Sequence, residues 1–291
     1  MCDDIHEGLI HDPTVSRRTF GLLSAAAAGG LASPALAAPA LVDGVVEKDV
    51  EVKTPDGLAD AALFHPAGKG RWPGVVIWCD FLSLRPVFRE MGRRLAASGY
   101  VVLVPNFYYR SRKAPVFEGA FNFASQDDRA KIAPLRAALT NDKVDIDAAA
   151  YVDFLDAQPQ TDTAKKIGVQ GYCMGGPFTL RTAAVRPDRV GAAATFHASV
   201  LVSDTPDSPH LLIPKTKAAY LVATADNDDK QRPQEKDRLR AAFAAAGRPA
   251  AVEVYEGANH GWCVKGSPVY DEAAAEKAWA ELLALYRAHL G

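Results

Sequence analysis

Residues 168–180 read GVQGYCMGGPFTL, with Cys173 set between glycines just after a short apolar run and just before a helix-forming stretch. Where a strand turns sharply into a helix and holds out one side chain, that residue is pushed toward positive φ. Only small neighbours two places before and after it then let the backbones approach. Gly171 and Gly175 occupy those two places. The pattern GxCxG is thus a nucleophile elbow with sulfur in place of the usual serine oxygen. A thiol at the first turn of a helix faces unpaired backbone N–H groups and the positive end of the helix dipole, and both favour thiolate.

A nucleophile held this way needs a base and an orienting carboxylate, which this kind of sheet supplies in the chain order nucleophile, acid, histidine. Asp226, Asp228 and Asp229 follow the run KAAYLVATA (217–225), and His260 follows PAAVEVYEG (249–257) within GANHGW. Both positions fall at strand ends, on the edge where ligands bind in open α/β sheets. His260 is expected to deprotonate Cys173 or stabilise its thiolate, while one aspartate of the cluster fixes the imidazole tautomer. His65, His197, His210 and His289 read as ordinary surface or core residues. The other carboxylates of the cluster read as helix caps or solvated side chains, and without EF-hand spacing no metal is expected. An oxyanion hole takes one backbone N–H from the residue after the nucleophile and one from the loop after the third strand, which makes Met174 and Phe81 the candidates.

These residues need a sheet to position them. VVEKDVEVKT and LADAALFHP, separated by PDG at 55–57, predict a leading hairpin. GVVIWCD (74–80) is a nearly continuous apolar run, as expected for a strand buried on both faces. A helix over 86–98 and a strand over 100–105 follow. The segment from Asn106 to about Pro134 reads as irregular and aromatic, with a helix after it to about Ala157. Strands are then predicted at 166–171, 190–197, 217–225 and 249–257. Helices are predicted at 174–186 and 233–246, and a last helix buries Trp279, Leu282, Leu283 and Tyr286. The alternation implies an α/β domain over residues 41–291, a doubly wound, mainly parallel sheet with a leading antiparallel hairpin.

The first forty residues differ in kind. Arg17 and Arg18 precede an Ala/Gly/Leu stretch that ends in Ala35-Leu36-Ala37, a small-x-small cleavage pattern. Residues 1–37 therefore read as a twin-arginine export signal, with the export machinery as partner and a periplasmic or secreted protein as product. No membrane span is expected once the signal is removed. The formal net charge of −2 offers no basic excess to track nucleic acid, so a small-molecule substrate is the expected partner. The four cysteines, at positions 2, 79, 173 and 263, have neither disulfide-framework nor zinc-site spacing.

GYCMGG, ADNDD and GANHGW, together with CDFLSLRPVFREMGRRLAASGYVVLVPNFYYR, resemble the dienelactone hydrolase family of α/β-hydrolases over about residues 44–288. The resemblance implies an α/β-hydrolase fold and a cysteine-dependent hydrolase, similar to carboxymethylenebutenolidase. It would open a lactone or cleave a small carboxylic ester through a thioester acyl-enzyme without a cofactor. It implies Cys173 as nucleophile, His260 as base and Asp228 as triad acid, with Asp226 as the alternative. Asp80 stands where the family has an acidic residue that interacts with the resting thiol. Arg110 stands where an arginine binds the substrate carboxylate, a solvated loop arginine being its other reading. The family's second arginine, four residues after the histidine, is replaced by Val264. Trp78, Phe81, Tyr108, Tyr109, Phe123 and Trp262 are candidates for an apolar pocket. A redox-sensing or binding protein, with Cys79 or Cys263 as partner thiol, and an acyl transferase are the alternative readings.

Overall fold

A computed structural model describes residues 9–10, 40–42 and 44–291. The export signal expected over residues 1–37 lies outside the described residues except at Leu9–Ile10. The strands are β1 (Leu9–Ile10), β2 (Ala40–Val42), β3 (Val45–Thr54), β4 (Gly57–Pro66), β5 (Gly74–Trp78), β6 (Val101–Pro105), β7 (Phe121–Asn122), β8 (Ile167–Tyr172), β9 (Val190–Phe196), β10 (Ala219–Ala225) and β11 (Ala250–Tyr255). The helices are α1 (Pro86–Ala97), α2 (Gln126–Ala138), α3 (Asn141–Asp156), α4 (Gly176–Val185), α5 (Asp226–Gln231), α6 (Glu235–Ala245) and α7 (Glu272–His289).

One sheet runs β11-β10-β9-β8-β5-β6-β4-β3-β2, and β1 pairs with β7 in a separate antiparallel ribbon. The strands from β6 across to β11 are parallel, while β4, β3 and β2 form an antiparallel flank. Every residue of β5, β6 and β8 is buried, which is why β5 and β6 read as unbroken apolar runs instead of alternating ones, while in β8 the buried Gln170 is bonded to the Tyr172 and Tyr286 hydroxyls. Helices α1 and α7 cover one face, joined by the Arg94–Glu276 ion pair and by Arg94 lying over the Trp279 ring. The other face carries α3, α4 and α6.

The hairpin closes on Pro55 and Asp56, where the Thr54 hydroxyl accepts from the Asp56 N–H and donates to the Gly57 carbonyl. Two expectations change. The segment after Asn106 contains β7 and the helix α2, with Pro134 inside α2, and a separate helix α3 follows. Helix α2 buries only Ile132, so it leaves no apolar periodicity to read, although Ser125 caps it through the Asp128 N–H. The aspartate cluster is the first turn of α5 instead of a loop. In α7, Trp279, Leu282 and Tyr286 are buried, and Leu283 is only partly so.

Across the sheet, β5 is followed by β6 on one side and β8 on the other, so the direction of winding reverses between β5 and β8. Such a switch point opens a crevice beyond the carboxyl ends of the two strands.

Arg110 donates from both terminal nitrogens to the fully buried Asp147 of α3, each at 2.8 Å, and from Nε to Asp56. The Tyr109 hydroxyl donates to the same Asp147 carboxylate at 2.9 Å. Asp147→Ala would remove the buried partner of both groups, leaving Arg110 only Asp56 and Tyr109 only Thr54 among the described residues, and the expected loss of unfolding free energy in urea titrations is about 3 kcal/mol.

Candidate active site

Cys173 directly follows β8 and occupies a single 3₁₀ turn, Cys173–Gly175, before α4. It takes a φ of 49°, a left-handed conformation that costs a non-glycine residue about 1 kcal/mol. The flanking glycines serve a different need. A Cβ on Gly171 would lie 2.2 Å from the Gly175 carbonyl oxygen, and one on Gly175 would lie 2.3 Å from the Cys79 oxygen and 2.5 Å from that of Trp78. The elbow thus sits directly on the backbone at the end of β5. No side chain fits between them.

The remaining residues arrive from later strand ends. Asp228 lies in the first turn of α5, after β10, and accepts at Oδ2 from the Nδ1 position of His260 at 2.7 Å. Its other oxygen is 3.7 Å from an Arg232 terminal nitrogen. Asn227 accepts from the His260 backbone N–H at 2.8 Å, and the Asp226 N–H donates to the Ala258 carbonyl. Three consecutive residues therefore clamp the turn that carries His260. Asp226 itself is ion-paired with Lys230, which holds its carboxyl below the usual range. With Nδ1 bound to a carboxylate, the imidazole presents Nε2, which is buried and has no hydrogen-bond partner among the described residues.

His260 and Cys173 line one small pocket with Asp80, Phe81, Arg85, Phe123, His197 and Val264, a cavity of about 20 Å³. Phe81 packs on Phe121 and Phe123 with ring centroids 5.0 Å and 4.8 Å away, so the segment around β7 roofs the pocket. Met174 and Phe81 each follow a residue of this lining, Cys173 and Asp80 respectively. Met174 also accepts at sulfur from the Tyr108 hydroxyl.

Asp80 is held by a buried Arg85, which donates from both terminal nitrogens to the two carboxylate oxygens at 2.5 Å and 2.8 Å. The Leu82 N–H donates to the same carboxylate. Arg85 was not singled out in the sequence; its signal is its position directly before Pro86, which opens α1, five residues beyond Asp80. Arg110 is bound to Asp147 and Asp56 and does not line this pocket. Trp262 is likewise absent from the lining: it is fully buried and stacks on Tyr255 at 4.5 Å. Trp78 is a core residue that donates to the Thr182 hydroxyl, and Tyr109 bonds to Thr54 and Asp147, so among the expected aromatics the pocket takes Phe81 and Phe123.

His197, read in the sequence as an ordinary histidine, follows β9 with a φ of 36° and packs its ring edgewise on His260 at 4.9 Å. Burial pushes its basicity well below the ordinary value, and the neighbouring His260 adds to this. Burial also pushes the Cys79 and Cys263 thiols well up, with Asp80 adding to the effect on Cys79, so both are poor thiolates and poor partners for disulfide exchange. None of the described cysteines is in a disulfide. Among the described residues no group of three or more His, Cys, Asp or Glu side chains is arranged to hold a metal ion.

A parallel sheet with a nucleophile elbow after one strand and a carboxylate-bound histidine after the last defines an α/β-hydrolase. A crystal structure described as a candidate dienelactone hydrolase of Klebsiella pneumoniae has this fold, with a TM-score of 0.73 at 20% identity over 84% of this chain and 99% of that one. The chain belongs to the dienelactone hydrolase family, whose model matches residues 59–290, and is accordingly a carboxylic ester hydrolase. It is 27% identical to a candidate carboxymethylenebutenolidase of Methylorubrum extorquens, over 94% of this chain and 93% of that protein. It is 25% identical to the carboxymethylenebutenolidase of Rhodococcus opacus, over 78% of this chain and 86% of that one.

Gly175→Ala would drive a methyl group into two backbone carbonyls that cannot move without shifting β5. The expected outcome is a loss of about 3 kcal/mol or more in chemical denaturation, with the elbow distorted in whatever fraction still folds.

Proposed function

We propose that this hydrolase acts through a Cys173–His260–Asp228 triad on a lactone or small carboxylic ester, by way of a thioester acyl-enzyme. The observation that carries this reading is the His260 residue, fixed to Asp228 through Nδ1, with no partner among the described residues at Nε2, and lining the same pocket as Cys173. His260 takes the thiol proton, and the sulfur adds to the carbonyl carbon. The developing oxyanion is met by the backbone N–H groups of Met174 and Phe81. Collapse breaks the ester C–O bond, and His260 returns the proton to the leaving alkoxide. A water then repeats the sequence on the thioester, with His260 again as base, and releases the acid.

The lining also bears on the substrate. Asp80 and Arg85 neutralise one another and Arg110 is engaged elsewhere, which favours an uncharged acyl group over the anionic one that the family resemblance implies for Arg110. The high thiol basicity of Cys79 and Cys263 weighs against redox sensing.

On an activated aryl ester, Cys173→Ala is expected to lower kcat by at least about 10³-fold. Acid-quenched wild type should carry one acyl mass on the peptide containing Cys173, and His260→Ala should slow iodoacetamide alkylation of that cysteine. Wild-type turnover in Cys173→Ala would end this reading.

We further infer export through the twin-arginine route to the periplasm or beyond, on the strength of Arg17, Arg18 and the Ala35-Leu36-Ala37 pattern. That route carries folded proteins, which suits a thiol site assembled in a reducing cytosol. Cell fractionation is expected to find the protein exported, and the Arg17→Lys, Arg18→Lys double variant retained in the cytoplasm.

A further inference from the structure

His197 is 1% exposed, and neither ring nitrogen has a hydrogen-bond partner among the described residues. Its backbone is strained at φ 36°, and it belongs to the lining of the pocket that holds Cys173 and His260. A residue needed only to fill this space would be better as an apolar side chain. Each buried nitrogen left unpaired costs about 1–3 kcal/mol, and the strain adds to that. Two orphaned polar atoms on a residue of the pocket lining instead describe half of a hydrogen-bonding arrangement.

We propose that His197 is a substrate-recognition residue, which selects esters whose acyl chain carries an uncharged hydroxyl or keto oxygen. The proposal rests on the esterase reading of the same pocket and adds the class of acyl group it takes.

The chemistry of the ring narrows the ligand. A neutral imidazole offers one N–H and one lone pair, and either nitrogen can carry the proton, so it meets a hydroxyl or a carbonyl equally well. Burial holds the ring uncharged, which removes the cation that a carboxylate would need. The two full charges in the lining, Asp80 and Arg85, already satisfy each other. A pure hydrocarbon chain would leave the His197 nitrogens buried and unpaired. The oxygen belongs on the acyl side, because the acyl group remains on Cys173 inside the pocket while the alcohol departs.

The test compares kcat/KM for p-nitrophenyl butyrate, p-nitrophenyl 3-hydroxybutyrate and mono-p-nitrophenyl succinate in wild type, His197→Phe and His197→Asn. Phenylalanine keeps a ring without nitrogens, and asparagine keeps a donor and an acceptor and tolerates positive φ. Wild type is expected to favour the hydroxy ester over butyrate by about tenfold, with succinate poorest. His197→Phe should abolish that preference, whatever its effect on butyrate turnover, and His197→Asn should retain part of it. An unchanged hydroxybutyrate-to-butyrate ratio in His197→Phe would overturn the proposal, as would an equal loss on both esters in both variants or a wild-type preference for succinate. Turnover of butyrate through Cys173 tests the esterase reading separately. If wild type neither turns over any of the three esters nor acylates Cys173, that reading fails and the selectivity falls with it.

Discussion

The approach of Gly175 to the carbonyls of Trp78 and Cys79 is the contact on which the site depends. It places the turn after β8 hard against the end of β5, across the point where the winding of the sheet reverses. From that one seating follow the outward placement of Cys173, the start of α4, and the proximity of the loop after β5 to the thiol. Sterics set it rather than attraction. Protein interiors transmit displacements because they are close-packed, so an elbow raised by one methyl group would shift Cys173 and the start of α4 together.

A second layer of fixation acts on the histidine. The Asp226–Asp228 turn holds the chain at Ala258 and His260 through two backbone N–H groups and one ring nitrogen, so the orientation of the imidazole is determined by main chain as well as by side chain. Arg232 approaches the free side of the Asp228 carboxylate and is itself bound by Glu235, whose other oxygen accepts from the N–H groups of Leu201 and Val202. The loops after β9, β10 and β11 are thereby tied into one network that ends at His260. Charged groups in such a network are individually costly to bury, and complete pairing is what makes the arrangement stable.

Much of this was legible in the sequence because it is carried by backbone demands. The glycines around Cys173, the buried β5, β6 and β8 runs, and the histidine and aspartates after successive strands are local patterns with physical causes. Asp228, which the resemblance put ahead of Asp226, is the carboxylate bonded to His260, and the first turn of α5 leaves Asp226 paired with Lys230. The misses share a different cause. Arg85, His197 and the packing of Trp262 depend on which side chains from distant strand ends converge, and a strand-end histidine carries no local mark of what it will face. Helix α2 was hidden for the opposite reason, since it has almost no buried face to impose a period.

The two walls of the pocket differ in how they are made. The floor is backbone against backbone, at positions where even a methyl group has no room. The roof, Phe81 with Phe121 and Phe123, is side chain against side chain, borrowed largely from a chain segment that contributes nothing to the elbow. Inherited variation is therefore filtered unequally. Substitutions in the roof reshape the cavity while the turn that carries Cys173 stays seated on β5, so the scaffold leaves the shape of the pocket free to vary and holds the elbow fixed.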